Sequence, residues 1–307
     1  MPSLRQVVLV HRKRQVQLAR RTAREAARMW AKTDPTSIAA SWTQALPRLF
    51  TVVSSAQGIA AASAAQYVDD ALSAQGADDS SLATVRVRPF AGVASDGGDL
   101  ADLLFQPALT SLGALRKGAT SARAKAAGLT ELDMIVRTQV ADADRVATSV
   151  AMAVRPAVTG YVRMLVLPSC SRCIVLAGAR YSWSDAFKRH PRCDCRNAPV
   201  AEDVPGDVAT SPRAAFESLD ETAQNRIFTK AGAQAIRDGA DISQVVNARS
   251  GMDSAAGTTS TGTTRAGLAG RRLGARGVRL MPERIYQQAD GDRAKALELL
   301  RQHGYIL

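Results

Sequence analysis

All four cysteines of this 307-residue chain lie between positions 170 and 195, together with one of its three histidines. They form the pattern Cys170-x2-Cys173 followed, after sixteen residues, by His190-x2-Cys193-x-Cys195. Two thiolates on one tight turn can bind the same small cation, and a second cluster can complete a tetrahedron of sulfur and nitrogen ligands around it. The spacing therefore predicts a zinc site, with these five residues as candidate ligands.

A closed zinc site needs four ligands, so one of the five candidates is surplus. The preferred set is Cys170, Cys173 and Cys195 with either His190 or Cys193, because two ligands separated by a single residue strain the loop that carries them. With all four positions filled by protein, the zinc is structural. It is expected to hold together two loops that have little apolar core of their own.

Other uses of these residues stay open. Two disulfides would need an oxidising compartment, and no export signal is evident. A thioredoxin-like Cys-x-x-Cys pair opens a helix inside a βαβ unit, whereas the segment that follows Cys173 is not expected to begin a helix. A nucleophilic Cys193 activated by His190 lacks an evident acid to orient the imidazole. Unligated buried thiols are the remaining alternative.

Catalytic patterns are scarce elsewhere in the chain. A Ser-His-Asp site would have to use His11 on a basic arm, His190 in the metal loop or His303 near the C-terminus. The chain contains no Walker A loop, dinucleotide-binding fingerprint or HExxH zinc motif. The sequence therefore predicts no active site.

The formal net charge of +12 is concentrated in two stretches. Residues 1–32 contain nine Lys or Arg against the single acid Glu25, and residues 265–280 contain no acid. Basic patches attract polyanions such as DNA without reading base sequence. A solvated face, or an arm that docks on an acidic protein surface, explains the same charge equally well.

The apolar pattern excludes membrane and export classes. No run approaches the roughly 18 to 20 apolar residues that cross a bilayer. The apolar run near the N-terminus has four residues (7–10), whereas a signal peptide needs at least about seven. We expect a protein without membrane contact and without a signal of its own.

Helical periodicity dominates the first half of the chain. Apolar residues spaced for one face predict a helix over 6–32, with a separate ridge formed by Arg20, Arg24 and Arg28. An Ala-rich helical region follows and is expected to be interrupted near Pro47. A short strand is predicted over 82–88.

A long helix with one buried stripe is predicted from residue 131 to about 154. Thr130 and Asp133 resemble a capping box at its start, and Pro156 marks its end.

The second half alternates short elements with polar connections. Residues 161–168 have strand character, and Ser211 with Pro212 is typical of the start of a helix. Residues 250–264 have the composition of a flexible linker. A last helix is predicted over about 292–302, with Gly304 at its C-terminal cap.

The predicted fold class is mainly α with a small α+β domain, in which long helices precede a small cysteine-knotted β/loop element. Three parts are expected. Residues 1–128 form a basic, Ala-rich helical region, residues 129–249 form a domain around the Cys/His cluster, and residues 250–307 form a linker and a basic tail with a short helix.

The order CSRC followed by HPRCDCR after a long helix resembles the signature of phage minor head proteins of the Mu protein F type. The matching positions are Cys170, Cys173, His190, Cys193 and Cys195, with the proline at 191. The resemblance covers about residues 130–200. Later segments, 235–252 and 277–289, resemble C-terminal segments of such proteins from actinobacterial phages.

The resemblance implies a structural role in head morphogenesis. Proteins of this family are low-copy components of the procapsid near the portal vertex, so the expected partners are the portal protein, a scaffold or major capsid protein, and packaged DNA bound without sequence preference. The expected location is the capsid interior of the virion, after assembly in the host cytoplasm.

Two alternatives accompany this expectation. Relatives in actinobacterial phages are often labelled capsid maturation protease, sometimes as a fusion with the minor head domain. Ser169, Ser171 or Cys193 beside His190 would then be the candidate nucleophiles. A zinc-dependent DNA-binding protein would explain the charge and the cysteines, but no recognition helix is evident.

Overall fold

The computed structural model describes residues 1–185, 195–274 and 277–306. By packing, the chain forms two compact units. The first comprises Met1–Met164 and Ala179–Ala209, and the second comprises Leu165–Gly178 and Thr210–Leu307. The predicted domain limits at residues 128 and 249 stay predictions.

Four long helices that pack on one another form most of the first unit. They are α1 (Leu4–Ala31), α2 (Ile38–Ser73), α3 (Leu100–Arg116) and α4 (Ser121–Ala153). Side chains at the N-caps satisfy backbone N–H groups that have no partner inside the helix, as Ser3 does for Gln6, Asp99 for Ala101 and Thr120 for Arg123. These caps determine where the long apolar faces begin.

The bundle core is built on two tryptophans. Trp30 and Trp42 meet edge to face with their ring centroids 4.8 Å apart, and both indole N–H groups donate to backbone carbonyls, of Lys125 and Leu104 respectively. Buried leucine and valine side chains from α2, α3 and α4 surround the pair. Because each ring combines a large apolar area with a satisfied polar atom, the pair links α1, α2, α3 and α4 at one level of the bundle.

Two helix predictions need correction. The structure runs α2 without a break through Pro47. One backbone hydrogen bond is lost there, but the flanking Trp42 and Leu49 are fully buried, and their packing outweighs that loss. The fourth helix begins at Ser121 rather than 131, because the cap is Thr120. Thr130 lies inside the helix, where its hydroxyl donates to the carbonyl of Ala126.

The strand predicted over 82–88 is also wrong. The backbone over 82–87 is irregular, with bends, and a single turn of 3-10 helix begins at Arg88 and ends at Phe90. Leu82 is 79% exposed, so the alternating apolar side chains of this segment do not form a buried strand face.

A small antiparallel sheet completes the first unit. Its strands are β1 (Gly160–Met164), β2 (Arg180–Ser182) and β3 (Arg196–Val200), in the order β2-β1-β3. Tyr161 is opposite Tyr181 on one side and Pro199 on the other. Every residue of β3 is buried, so its polar side chains enter the protein interior beside α1 and α2.

The second unit consists of short helices and a second sheet. The helices are α5 (Ser171–Val175), α6 (Pro212–Glu217), α7 (Glu221–Phe228), α8 (Lys230–Arg237), α9 (Ile242–Ala248), α10 (Leu268–Leu273), α11 (Pro282–Ala289) and α12 (Arg293–Gln302). The sheet has the order β4 (Met252–Asp253), β5 (Thr258–Thr259), β6 (Arg279–Leu280).

The helix start predicted at Ser211 and Pro212 is confirmed, whereas the C-cap residue of α12 is His303 and not the predicted Gly304. Ser211 accepts the N–H of Ala214, Pro212 occupies the first helical position of α6, and Asp292 caps α12. Gly304 follows that helix with a positive φ of 69°, a conformation that glycine adopts without strain. In the stretch of linker composition, the structure places β4 and β5.

The predicted fold class is confirmed. Over the described residues the chain is mainly α-helical, with twelve α-helices and two small three-stranded antiparallel sheets. Among these residues, no helix is both long enough and apolar enough to cross a bilayer.

Candidate functional site

The Cys-x-x-Cys half of the predicted metal site lies at the start of α5. Cys170 is the N-cap residue and is exposed, whereas Cys173 is 1% exposed. The N–H of Cys173 donates to the carbonyl of Cys170 at 3.0 Å, so both cysteines belong to one helical turn. The prediction that no helix opens here is wrong, although α5 has only five residues.

The other candidate ligands are placed less completely. Cys195 directly precedes β3 in the first unit and is fully buried. His190 and Cys193 lie in 186–194, outside the described residues. No group of three or more His, Cys, Asp or Glu side chains that could hold a metal occurs within the described ranges. Since two candidates fall outside them, the zinc site stays a prediction.

The structure bears on two of the alternative uses of the cysteines, namely disulfides and a thioredoxin-like pair. No disulfide joins Cys170, Cys173 and Cys195 in the structure. A thioredoxin-like pair belongs to a βαβ unit with parallel strands. Here β1 pairs antiparallel with both β2 and β3, so these three strands do not provide that context.

A buried ionic cluster lies inside the first unit, where α1, α4 and β3 meet. His11 Nε2 is 2.7 Å from Asp144 Oδ1, and Arg196 donates to the other oxygen of Asp144 at 3.3 Å. The three residues are 7%, 2% and 6% exposed, respectively. One carboxylate thus holds a ring from the first helix and a guanidinium from the last strand of the sheet.

Charge and burial compete at Asp144. Burial alone would raise the pKa of its carboxyl group, but His11, Arg196 and Arg145 together hold that pKa below its usual range. Burial lowers the pKa of Arg196, and the nearby charge of Arg145 lowers it further. The carboxylate therefore stays ionised at neutral pH and compensates the buried guanidinium.

The aromatic ring of Tyr67 covers one side of this cluster. Tyr67 on α2 stacks on the His11 ring with centroids 4.0 Å apart and planes 10° from parallel. Its hydroxyl donates to the Asn197 carbonyl at 2.6 Å. Burial, and then the negative charge of Asp144, raise the pKa of Tyr67 well above its usual value. Tyr67 is therefore a neutral hydrogen-bond donor that ties α2 to β3.

Sequence reasoning missed this cluster and assigned His11 to a basic arm. A signal was present, because His11 and Gln15 continue the spacing of Val8 and Ala19 on the buried face of α1. A polar residue at an apolar-face position predicts a buried partner. What the sequence could not show was that Asp144, 133 residues away, supplies that partner.

The outer face of α1 is basic, as predicted. Arg20, Arg24 and Arg28 are all exposed, and Arg28 pairs with Glu25 at 2.8 Å. Arg48 of α2 reaches the same carboxylate at 3.2 Å. Glu25 thus neutralises only part of this face, which remains positive.

The second basic stretch is partly structural. Arg279 is 1% exposed, and its guanidinium donates to the carbonyls of Thr261 at 2.7 Å and His303 at 2.9 Å. It also lies 4.3 Å over the ring of Tyr305. His303 is 5% exposed, and its Nδ1 accepts the N–H of Leu280 at 3.2 Å. Burial and then the charge of Arg279 lower the pKa of its imidazole. Arg279 is therefore part of the interior of the second unit and not of a nucleic-acid surface.

Comparison with known proteins identifies one family. No curated protein and no solved structure matches the chain. A family model described as VG15 protein matches residues 3–222. This match includes the four-helix bundle, the buried ionic cluster and the cysteine window. The chain therefore belongs to the VG15 protein family, a family of phage proteins.

Proposed function

We propose that the protein is a minor structural component of a tailed-phage head, which acts by contact during procapsid assembly near the portal. The observation that carries the proposal is the phage-family match over residues 3–222. The same span contains the order CSRC and HPRCDCR, which resembles the Mu protein F type of minor head protein. Segments 235–252 and 277–289, which follow this span, resemble C-terminal segments of such proteins from actinobacterial phages.

The structure of the first unit is suited to such a role. Its interior holds Asp144 together with His11 and Arg196, whereas the outer face of α1 presents arginines to solvent. A positive helix face binds acidic protein surfaces and the phosphates of packaged DNA through the same charges. Inside a capsid both kinds of surface are present, so the proposed location is the capsid interior.

The experiment that tests this function is co-expression of the chain with the portal, scaffold and major capsid proteins of the same phage genome. The expected result is that the chain co-purifies with procapsids in a few copies and binds the portal protein in a pull-down. Procapsids that exclude the chain, together with no binding to any of the three proteins at low salt, would contradict the proposal.

The same experiment separates the alternative functions. A capsid maturation protease would shorten the major capsid protein on a denaturing gel, whereas a purely structural component leaves its length unchanged. A DNA-binding regulator would bind one duplex sequence more tightly than others at fixed salt. The proposed protein is expected to bind all duplexes alike, with an affinity that falls steeply as salt rises.

We also propose that the cysteine window binds one structural zinc ion through Cys170, Cys173 and Cys195 with His190 or Cys193. The support in the structure is the single turn that carries Cys170 and Cys173, since thiols three residues apart at the start of a helix suit half of a tetrahedral site. When bound, zinc would clamp the window by coordination and would not supply a reactive water.

Elemental analysis of protein purified under reducing conditions tests the zinc proposal. About one zinc per chain is expected, with loss of metal in Cys173→Ser and Cys195→Ser. Ser171→Ala, in the same turn, is the matched control and is expected to keep its metal. If His190→Ala alone retains zinc, the fourth ligand is Cys193. Folded, metal-free wild-type protein would contradict the proposal.

A further inference from the structure

A half-open cavity of about 330 Å³ lies within the first unit, between α1, α4 and β3. The residues that line it include four arginines and one acid. They are Arg20, Arg137, Arg145, Arg196 and Asp133. Neither the family match nor the proposed head function assigns this cavity a role.

The acids around the cavity are already engaged. Asp133 accepts from Arg137 at 2.7 Å, and Asp142, outside the lining, accepts from Arg145 at 2.8 Å. Asp144 is shared between His11 and Arg196. Each of these three carboxylates is therefore paired with at least one cation, and Arg20 adds a further positive charge at the mouth. The wall stays electropositive.

Three buried polar atoms of lining residues have no hydrogen-bond partner within the described part of the chain. They are Arg196 Nε, Thr138 Oγ1 and Gln15 Oε1. Arg196 and Gln15 are 6% and 4% exposed. A buried polar group without a partner costs about 1–3 kcal/mol. Three of them around one cavity indicate that the cavity is built to contain a polar molecule.

The donor and acceptor pattern defines the chemistry of that molecule. Arg196 Nε–H is a donor, and the hydroxyl of Thr138 can donate or accept. Gln15 is oriented by its other end, because its Nε2 donates to Ser63 Oγ at 2.6 Å and that hydroxyl donates to the Ala60 carbonyl. Gln15 Oε1 therefore remains as an acceptor beside several cations.

We propose that this cavity binds a protonated tetrahedral oxyanion of the phosphate class. Guanidinium groups and a hydroxyl would hold the charged oxygens, and the P–OH group would donate to Gln15 Oε1. Inorganic phosphate carries such a proton in both of the forms present near neutral pH, and a terminal phosphate monoester, whose second pKa is about 6, carries it in a fraction of its molecules. Sulfate and the phosphodiesters of a DNA backbone do not.

The test uses the purified full-length chain in a phosphate-free buffer at neutral pH. Calorimetry with inorganic phosphate is expected to show saturable binding, and phosphate is expected to raise the thermal midpoint more than sodium chloride of equal ionic strength does. Sulfate is expected to bind more weakly than phosphate. Binding that salt or sulfate reproduces equally would overturn the proposal.

Variants assign the binding to this cavity. Thr138→Val removes the hydroxyl at nearly constant shape, and Arg20→Gln removes the charge at the mouth; each is expected to weaken phosphate binding about tenfold. Arg24→Gln, one turn further along α1 and exposed, is the matched control and is expected to bind like the wild type. Equal weakening in all three would overturn the assignment.

Competition identifies the source of the phosphate. Tighter binding of a nucleoside 5′-monophosphate than of inorganic phosphate would identify a terminal monoester as the ligand, and the reverse order would identify the free ion; both results support the site. Displacement of phosphate by an oligonucleotide without terminal phosphates would overturn it. None of these measurements depends on the proposed role in the phage head.

Discussion

The buried carboxylate of Asp144 is expected to be a major determinant of the stability of the first unit. Asp144→Asn keeps the shape of the side chain but removes the charge that compensates Arg196, and it weakens the contact with His11. Both partners are less than one-tenth exposed, so solvent screens them little. Removing one member of a buried ion pair costs about 3–5 kcal/mol, since it leaves the other charge buried and uncompensated.

That loss is a large fraction of the roughly 5–15 kcal/mol by which a native protein is stable. Unfolding in urea, followed by tryptophan fluorescence, measures it. All three tryptophans, Trp30, Trp42 and Trp183, lie in the first unit, so fluorescence reports the unfolding of this unit and not of the second one. Glu25→Gln is the control, because its pairs with Arg28 and Arg48 are exposed and contribute about 0–1 kcal/mol.

The effect also has a predicted dependence on pH. The pKa of Asp144 is lower in the folded protein than in the unfolded chain. Its contribution is therefore fully present above the unfolded value of about 3.9 and is lost as the pH falls through the folded value. The difference in unfolding free energy between wild type and Asp144→Asn should be constant near neutral pH and shrink in acid. A cost below about 1 kcal/mol, or a difference that does not shrink in acid, would refute the reasoning.

Further predictions concern packing in each unit. Gly128→Ala should destabilise the first unit by about 1–3 kcal/mol, because an added Cβ would clash with Ser111, with the Trp30 ring and with the Pro107 carbonyl oxygen at 2.7 Å. Gly113→Ala in α3 is its control: nothing lies within 4 Å of the new Cβ, so fluorescence-detected urea unfolding should show an unchanged or higher stability. In the second unit, Arg279→Lys should weaken the protection of α12 amides against hydrogen exchange by about tenfold or more. The reason is that the guanidinium group of Arg279 donates to Thr261, His303 and Gln244 at once, which an ammonium group cannot do with the same geometry. Unchanged protection would show that these contacts contribute little.

The sequence predicted best where a periodic pattern and a cap agreed. The helix over 6–32 and the helix over 292–302 both had an apolar period and clear ends, and the structure confirms both to within about two residues. The fourth helix was predicted with the wrong start, because Thr130 followed by Asp133 imitates a capping box. The helix begins earlier because Thr120 caps it and because Ala124 and Gly128, which precede the predicted start, are buried in the bundle.

Composition was a weaker guide than periodicity. The Gly-, Ser- and Thr-rich segment over 250–264 resembles a linker, yet Thr259 is 4% exposed and its hydroxyl donates to the Ala248 carbonyl. Small hydroxyl side chains can order a short segment by bonding to nearby backbone. That information is lost when residues are counted by type, because the partner is eleven positions away.

The site chemistry was predictable only where it is local in sequence. The Cys-x-x-Cys turn at Cys170 and Cys173 is local, and the structure places both residues in one turn of α5. The ionic cluster is not, because Asp144 is 52 residues from Arg196 and 133 from His11. Only the fold brings α1, α4 and β3 together, so no spacing in the sequence predicts the ionic cluster.

The two faces of α1 show how the charge of this protein is divided. On the inner face, His11 and Gln15 contact α4 and α2 through hydrogen bonds, and these contacts fix the helix in one orientation. Spacing by four places the arginines at 20, 24 and 28 on one ridge, and the fixed orientation of the helix keeps that ridge exposed to solvent. A coherent positive ridge attracts a polyanion or an acidic surface more strongly than the same charges dispersed. Asp144→Asn should therefore weaken the proposed binding to DNA or to the portal protein through loss of the helix position, whereas Arg24→Gln should weaken that proposed binding without loss of stability. Equal binding by Asp144→Asn and wild type would show that the ridge does not depend on the buried cluster.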